Sequence, residues 1–151
     1  VGVTKEQLIH AANTILQVPL MESGYQFREE GICTYGFMYM KAEKDTQYMI
    51  EIQPSGYNEN NLTDMFLNIH RRSRKQSGSA PTMDMFSIRV DSTINKKKEQ
   101  KNRQTWSWQL QSADVAEATF MGILPIILEH VVPFLEDPQS CYMEIDEMFV
   151  E

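Results

Sequence analysis

The sequence predicts an α+β domain: an antiparallel sheet of about five to six strands, with an N-terminal and a long C-terminal helix packed on one face. Three observations carry this. Apolar residues recur at helical spacing near both ends of the 151-residue chain, and period-two alternation fills the stretch between them. The composition is 42% hydrophobic and 23% charged, which suits one domain over residues 1–151 that folds without disulfides or metal. Two cysteines, Cys33 and Cys141, are too few for a cystine framework or a four-thiolate zinc site.

Thr4-Lys5-Glu6-Gln7 has the form of a capping box. Leu8, Ala11, Ala12, Ile15 and Leu16 follow on one face, which predicts a helix from about Thr4 to Gln17, ended by Pro19. A short strand is expected around Tyr25 to Arg28. Cys33, Tyr35, Phe37 and Tyr39 then alternate with Thr34, Gly36, Met38 and Met40, and Tyr48, Ile50 and Ile52 alternate with Met49 and Glu51. These are two strands joined by a polar turn at Glu43-Lys44-Asp45. The methionines of this region, Met38, Met40 and Met49, fall on the face opposite the tyrosines. Leu62 to His70 fits a helix through Leu62, Met65, Phe66 and Ile69, and fits a strand through Met65, Leu67 and Ile69 equally well. Further alternation occurs at Phe86, Ile88 and Val90, and at Trp106, Trp108 and Leu110, whose indoles are expected in the core.

The last element runs behind a Ser112 cap, with Phe120, Ile123, Leu124, Ile127, Val131 and Leu135 on its apolar face. Pro125 and Pro133 lie inside the pattern and predict a kink or break. Glu117, Pro125, Glu129, His130 and Pro133 interrupt the apolar run, which favours a buried helix over a membrane span. An acidic tail begins at about residue 138. No internal repeat is visible. The N-terminus lacks a signal-peptide pattern, and free cysteine fits a reducing compartment, so a cytoplasmic location is expected.

Charge is segregated along the chain. Residues 71–103 hold ten basic side chains against three acidic ones, among them Arg71, Arg72, Arg74, Lys75, Lys96, Lys97, Lys98 and Lys101. Residues 104–151 hold nine acids and no lysine or arginine, within a formal net charge of −7 for the whole chain. The basic loops can be an anion-binding patch or simply solvated loops that keep the sheet ends soluble, and the second reading is preferred. The acids Glu129, Glu136, Asp137, Glu144, Asp146 and Glu147 form the expected partner-binding surface, one that repels nucleic acid and attracts a basic protein.

No P-loop, dinucleotide fingerprint, nucleophile elbow or metalloprotease helix occurs. His10, His70 and His130 lie far apart, no third ligand accompanies them, and no metal or cofactor is expected. His70 beside Arg71 and Arg72 would suit an acid/base and phosphate site, but nothing in the sequence identifies a second base. Cys33, inside an alternating strand without a histidine nearby, reads as a structural thiol.

Gly24-Tyr25-Gln26-Phe27 after the first helix begins a suggestive order of elements. Ile50-Glu51-Ile52-Gln53-Pro54-Ser55, then Met65-Phe66-Leu67-Asn68-Ile69, the Trp106–Trp108 strand and Val132-Pro133-Phe134-Leu135 continue it. Together these resemble a bacterial family of unknown function, the domain of unknown function forty-three-oh-four. Similar small domains occur among candidate immunity proteins of bacterial toxin systems. The resemblance implies a strand at Met65 to Ile69 and carries no catalytic residue; the Lys96-to-Lys101 cluster lies outside it. A helix at Leu62 to His70 would instead resemble type III secretion chaperones, which dimerise and bind an extended effector segment. The expected function is therefore non-enzymatic binding of another protein, most concretely immunity against a basic toxin. The alternatives are an effector chaperone, and a small nuclease or phosphate-processing enzyme using His70 and the basic loops.

Overall fold

In the computed structural model, which describes residues 2–73, 86–90 and 107–138, Thr4 opens the first helix through a complete capping box. Its Oγ1 accepts the Gln7 N–H at 3.0 Å while the Gln7 side chain accepts the Thr4 N–H at 3.0 Å. The helix α1 (Lys5–Ala12) then continues past the expected end, through a π turn at Asn13–Gln17 into α2 (Val18–Glu22). Pro19 does not stop it. A π turn widens the backbone directly before the proline, which gives the ring room. The C-terminal helix repeats the device. Ser112 caps α3 (Ala113–Ile126) by accepting the Val115 N–H, a π turn follows at Ile127–Val131, and α4 (Val132–Glu136) completes the run. Val18-Pro19-Leu20-Met21-Glu22 and Val132-Pro133-Phe134-Leu135-Glu136 thus form a short local repeat, each copy directly after a π turn. The break expected at Pro133 is a π turn inside one continuous helix, and Pro125 lies within α3 itself, just ahead of that turn.

Between the helices lie β1 (Gln26–Arg28), β2 (Phe37–Glu43), β3 (Thr46–Asn58), β4 (Asn61–Ser73), β5 (Phe86–Arg89) and β6 (Trp108–Gln109). The six strands form one antiparallel sheet in the order β1-β2-β3-β4-β5, with β6 also paired to β4. Residues 62–70, ambiguous in sequence, are a strand. The reason is tertiary: β4 pairs along nearly its whole length with β3 and offers its other edge to β5 and β6. The hairpin at Glu43-Lys44-Asp45 forms as expected, with Lys44 at φ +52°.

Register places Phe27, Tyr39, Ile50, Ile69 and Ile88 side by side across five strands. This row faces the helices and packs against buried Leu8, Leu16, Leu20, Phe120, Ile123 and Ile127. Each such side chain contributes roughly 1.5–3 kcal/mol on leaving water. Both helices start at the β3–β4 hairpin end, where Val3 bridges Leu62 and the Leu110 N–H donates to the Thr63 carbonyl. Both finish at the opposite end, where the Tyr25 hydroxyl donates to Glu136 at 3.0 Å. Trp108 packs half-buried against the core opposite Met65; Trp106 lies outside the described residues, as do the tail beyond 138 and the Lys96-to-Lys101 cluster.

Candidate functional site

Because strand side chains alternate, the residues one step from the core row face away from the helices. Two adjacent rows matter. One reads Arg28, Met38, Glu51, Asn68, Arg89; the other reads Gln26, Met40, Met49, His70, Ser87. At their centre Glu51 is 0% exposed and His70 6% exposed.

Glu51 is held by donors on both carboxylate oxygens. Oε2 accepts the backbone N–H groups of Ile32 at 2.6 Å and Cys33 at 2.7 Å. Oε1 lies 2.9 Å from His70 Nε2 and also accepts from Asn68 Nδ2 at 3.4 Å and the Cys33 thiol at 3.5 Å. Burial by itself would raise this carboxyl. The His70 hydrogen bond, the Cys33 N–H, the His70 charge and Asn68 outweigh burial and hold it down at about 2. Burial and then the Glu51 charge push the Cys33 thiol up, which keeps it protonated and unreactive.

The strand expected from Cys33 begins only at Phe37. Residues 31–36 instead fold over Glu51, closed by Gly31 N–H to Gly36 O and Gly36 N–H to Cys33 O, both at 2.8 Å. Tyr35 adopts φ +62°, a left-handed conformation that costs energy in a non-glycine residue and excludes a strand here. Gly31 and Gly36 are needed for proximity, since a Cβ on either would stand 2.5 or 2.7 Å from Glu51 Oε2. The alternation of tyrosines in the sequence concealed this loop. The paired glycines flanking Cys33 were the available signal.

His70 therefore has the second group that sequence reasoning could not find. Its Nε2 meets Glu51, and its Nδ1 lies 2.8 Å from Oγ of Ser87, an exposed residue of β5. An ionised Glu51 needs a donor at Nε2, which leaves Nδ1 of a singly protonated ring to accept from the Ser87 hydroxyl. Beside this chain Asn68 donates to Gln53 at 2.8 Å, Arg89 donates to Gln53 at 2.6 Å, and the Arg89 guanidinium lies 4.2 Å from the Phe66 ring centroid.

The basic residues do not gather around His70. Arg71 points to the helical side, where its guanidinium stacks on Tyr48 and donates to the Leu135 carbonyl at 2.6 Å. Arg72 is exposed on the other face, and Arg74, Lys75, Lys96, Lys97 and Lys98 lie outside the described residues. Among the acids, Glu136 is a structural tie that accepts from Tyr25 and pairs with Lys41 at 3.3 Å. Glu129 and Asp137 are exposed; Glu144, Asp146 and Glu147 lie outside the described residues. His10 sits near the start of the helical layer and His130 near its end, and no metal-ligand cluster occurs among the described residues.

The helical layer has its own outer surface. Residues 5–22 and 113–136 contain six acids and one lysine. Val18 and Met21 are 64% and 57% exposed, and on the C-terminal helix Val115, Met121 at 61%, Leu128 and Pro125 are exposed as well. That helix, Ala113–Glu136, has 24 residues and by length and composition alone is apolar enough to cross a membrane, despite the charges and prolines in it. Its inner face is one wall of the core. Comparison with family models, with curated proteins and with solved structures gives no match for this chain.

Proposed function

We propose that this chain works by binding another protein, and that the partner docks a basic amphipathic segment on the outer face of the helical layer. The observation that carries the reading is the exposed run Met121, Pro125 and Leu128, spaced as one helix face and flanked by acids such as Asp114 and Glu129. Apolar side chains at i, i+4 and i+7 suit helix-against-helix contact, and a mostly acidic rim selects a basic partner and speeds its encounter. Of the narrower versions, immunity against a basic toxin uses this charge directly, whereas a chaperone for an extended effector segment has less need of it. An anionic membrane surface would be repelled by the same acids.

The test uses synthetic helical peptides with a leucine stripe and either lysines or glutamates on the polar face, titrated calorimetrically into the full chain. The lysine peptide is expected to bind and the glutamate peptide not to bind. Met121→Lys with Leu128→Lys should weaken binding about tenfold or more, because two apolar contacts of roughly 1 kcal/mol each are replaced by repelling charges. Equal binding of both peptides, or full retention in the double variant, defeats the proposal. Association with zwitterionic vesicles in place of either peptide would make the helix face a lipid surface instead.

A further inference from the structure

We propose that Ser87 is a base-activated nucleophile, with His70 as its base and Glu51 as the positioning residue, directed at activated acyl or phosphonyl electrophiles. This is independent of the partner-binding reading, since it concerns the opposite face of the sheet. The two hydrogen bonds, 2.8 Å from Ser87 Oγ to Nδ1 and 2.9 Å from Nε2 to Glu51, place a hydroxyl, an imidazole and a carboxylate in series. That is the arrangement that turns a weakly nucleophilic serine into a reactive one: nucleophile within reach of a base, base oriented by a third group.

Three features separate the chain from a casual surface contact. The carboxylate is fully buried and accepts two backbone N–H groups, so it cannot swing away from the imidazole. The imidazole is buried between strands, while the serine is exposed where an electrophile can reach it. Arg89, on the same strand face, turns its guanidinium toward Gln53 and the Phe66 ring and leaves the Ser87 hydroxyl uncovered. With a fluorophosphonate the Ser87 Oγ forms a bond to phosphorus and the P–F bond breaks. Fluoride leaves with the electron pair, and the hydroxyl proton passes to His70 Nδ1 and on to water.

The experiment incubates the full-length protein with a tagged fluorophosphonate and maps the adduct by peptide mass spectrometry. A single adduct at Ser87 is expected, lost in Ser87→Ala and unchanged in Ser55→Ala, whose exposed hydroxyl has no imidazole beside it. Glu51→Gln presents an amide N–H to Nε2, which forces the ring proton to Nδ1 and removes the base. Labelling should fall at least 100-fold, the usual scale of general-base assistance, and nitrogen-15 shifts of His70 should report the switched tautomer. The wild-type result stands without any variant. No adduct at Ser87 under conditions that label a known serine hydrolase, or equal labelling of Ser87 and Ser55, overturns the proposal. So does a Glu51→Gln protein that is folded, carries the switched tautomer and labels at the wild-type rate.

Discussion

Replacing Glu51 by glutamine tests the central polar network as a source of stability. In the folded protein the carboxyl is held near 2, against an ordinary value of 4.5. A shift of this size is worth about 3 kcal/mol at neutral pH, at roughly 1.4 kcal/mol per unit. Because the folded value is the lower one, the stabilisation is complete above the unfolded value of about 4.5 and disappears as pH falls toward about 2. Glutamine keeps the shape and can still accept from Ile32 and Cys33, but it presents a donor to His70 and carries no charge. We expect Glu51→Gln to unfold in urea with a free energy about 3 kcal/mol below wild type at pH 7, and the gap to close between pH 4.5 and 2. Urea titrations of both proteins at half-unit pH steps measure it. Parallel pH profiles for the two proteins over that interval would show that the buried carboxylate contributes nothing specific, and the account of the network would be wrong.

Further outcomes follow from single contacts. Gly36→Ala should destabilise by more than about 2 kcal/mol, because its Cβ would sit 2.7 Å from Glu51 Oε2 and 2.9 Å from the Cys33 carbonyl. Gly122→Ala, with nothing within 4 Å, should raise the melting temperature through roughly 0.5–1 kcal/mol of helix propensity; calorimetry distinguishes the two. Tyr25→Phe should cost about 1–2 kcal/mol by removing the 3.0 Å bond to Glu136, measured by urea unfolding, and a cost near zero would mean that Lys41 and Arg71 fix that end of the helix without it. Arg71→Ala should speed amide exchange over residues 132–136, whose Leu135 carbonyl it holds, while Arg72→Ala leaves exchange there unchanged.

Local pattern and global architecture were legible to different degrees. The caps at Thr4 and Ser112, the alternating strands, the hairpin at residues 43–45 and the amphipathic pattern of the two helices were written in residue order, because each rests on positions a few residues apart. The apparent stops were misleading. Pro19, Pro125 and Pro133 signal helix ends by local rules, yet π turns and tertiary packing carry both helices through them. Residues 62–70 became a strand because β3, β5 and β6 offered hydrogen-bonding edges on both sides, information absent from the segment itself. The central network was the least legible feature. Glu51, His70 and Ser87 are separated by 19 and 17 positions, and Cys33 belongs to a loop that alternation disguised as a strand. Sequence alone determined which face each strand residue occupies once its neighbours pair, because the side-chain period is two. Only the fold decided which strands became neighbours, and strand register is what converts three scattered residues into one hydrogen-bonded chain.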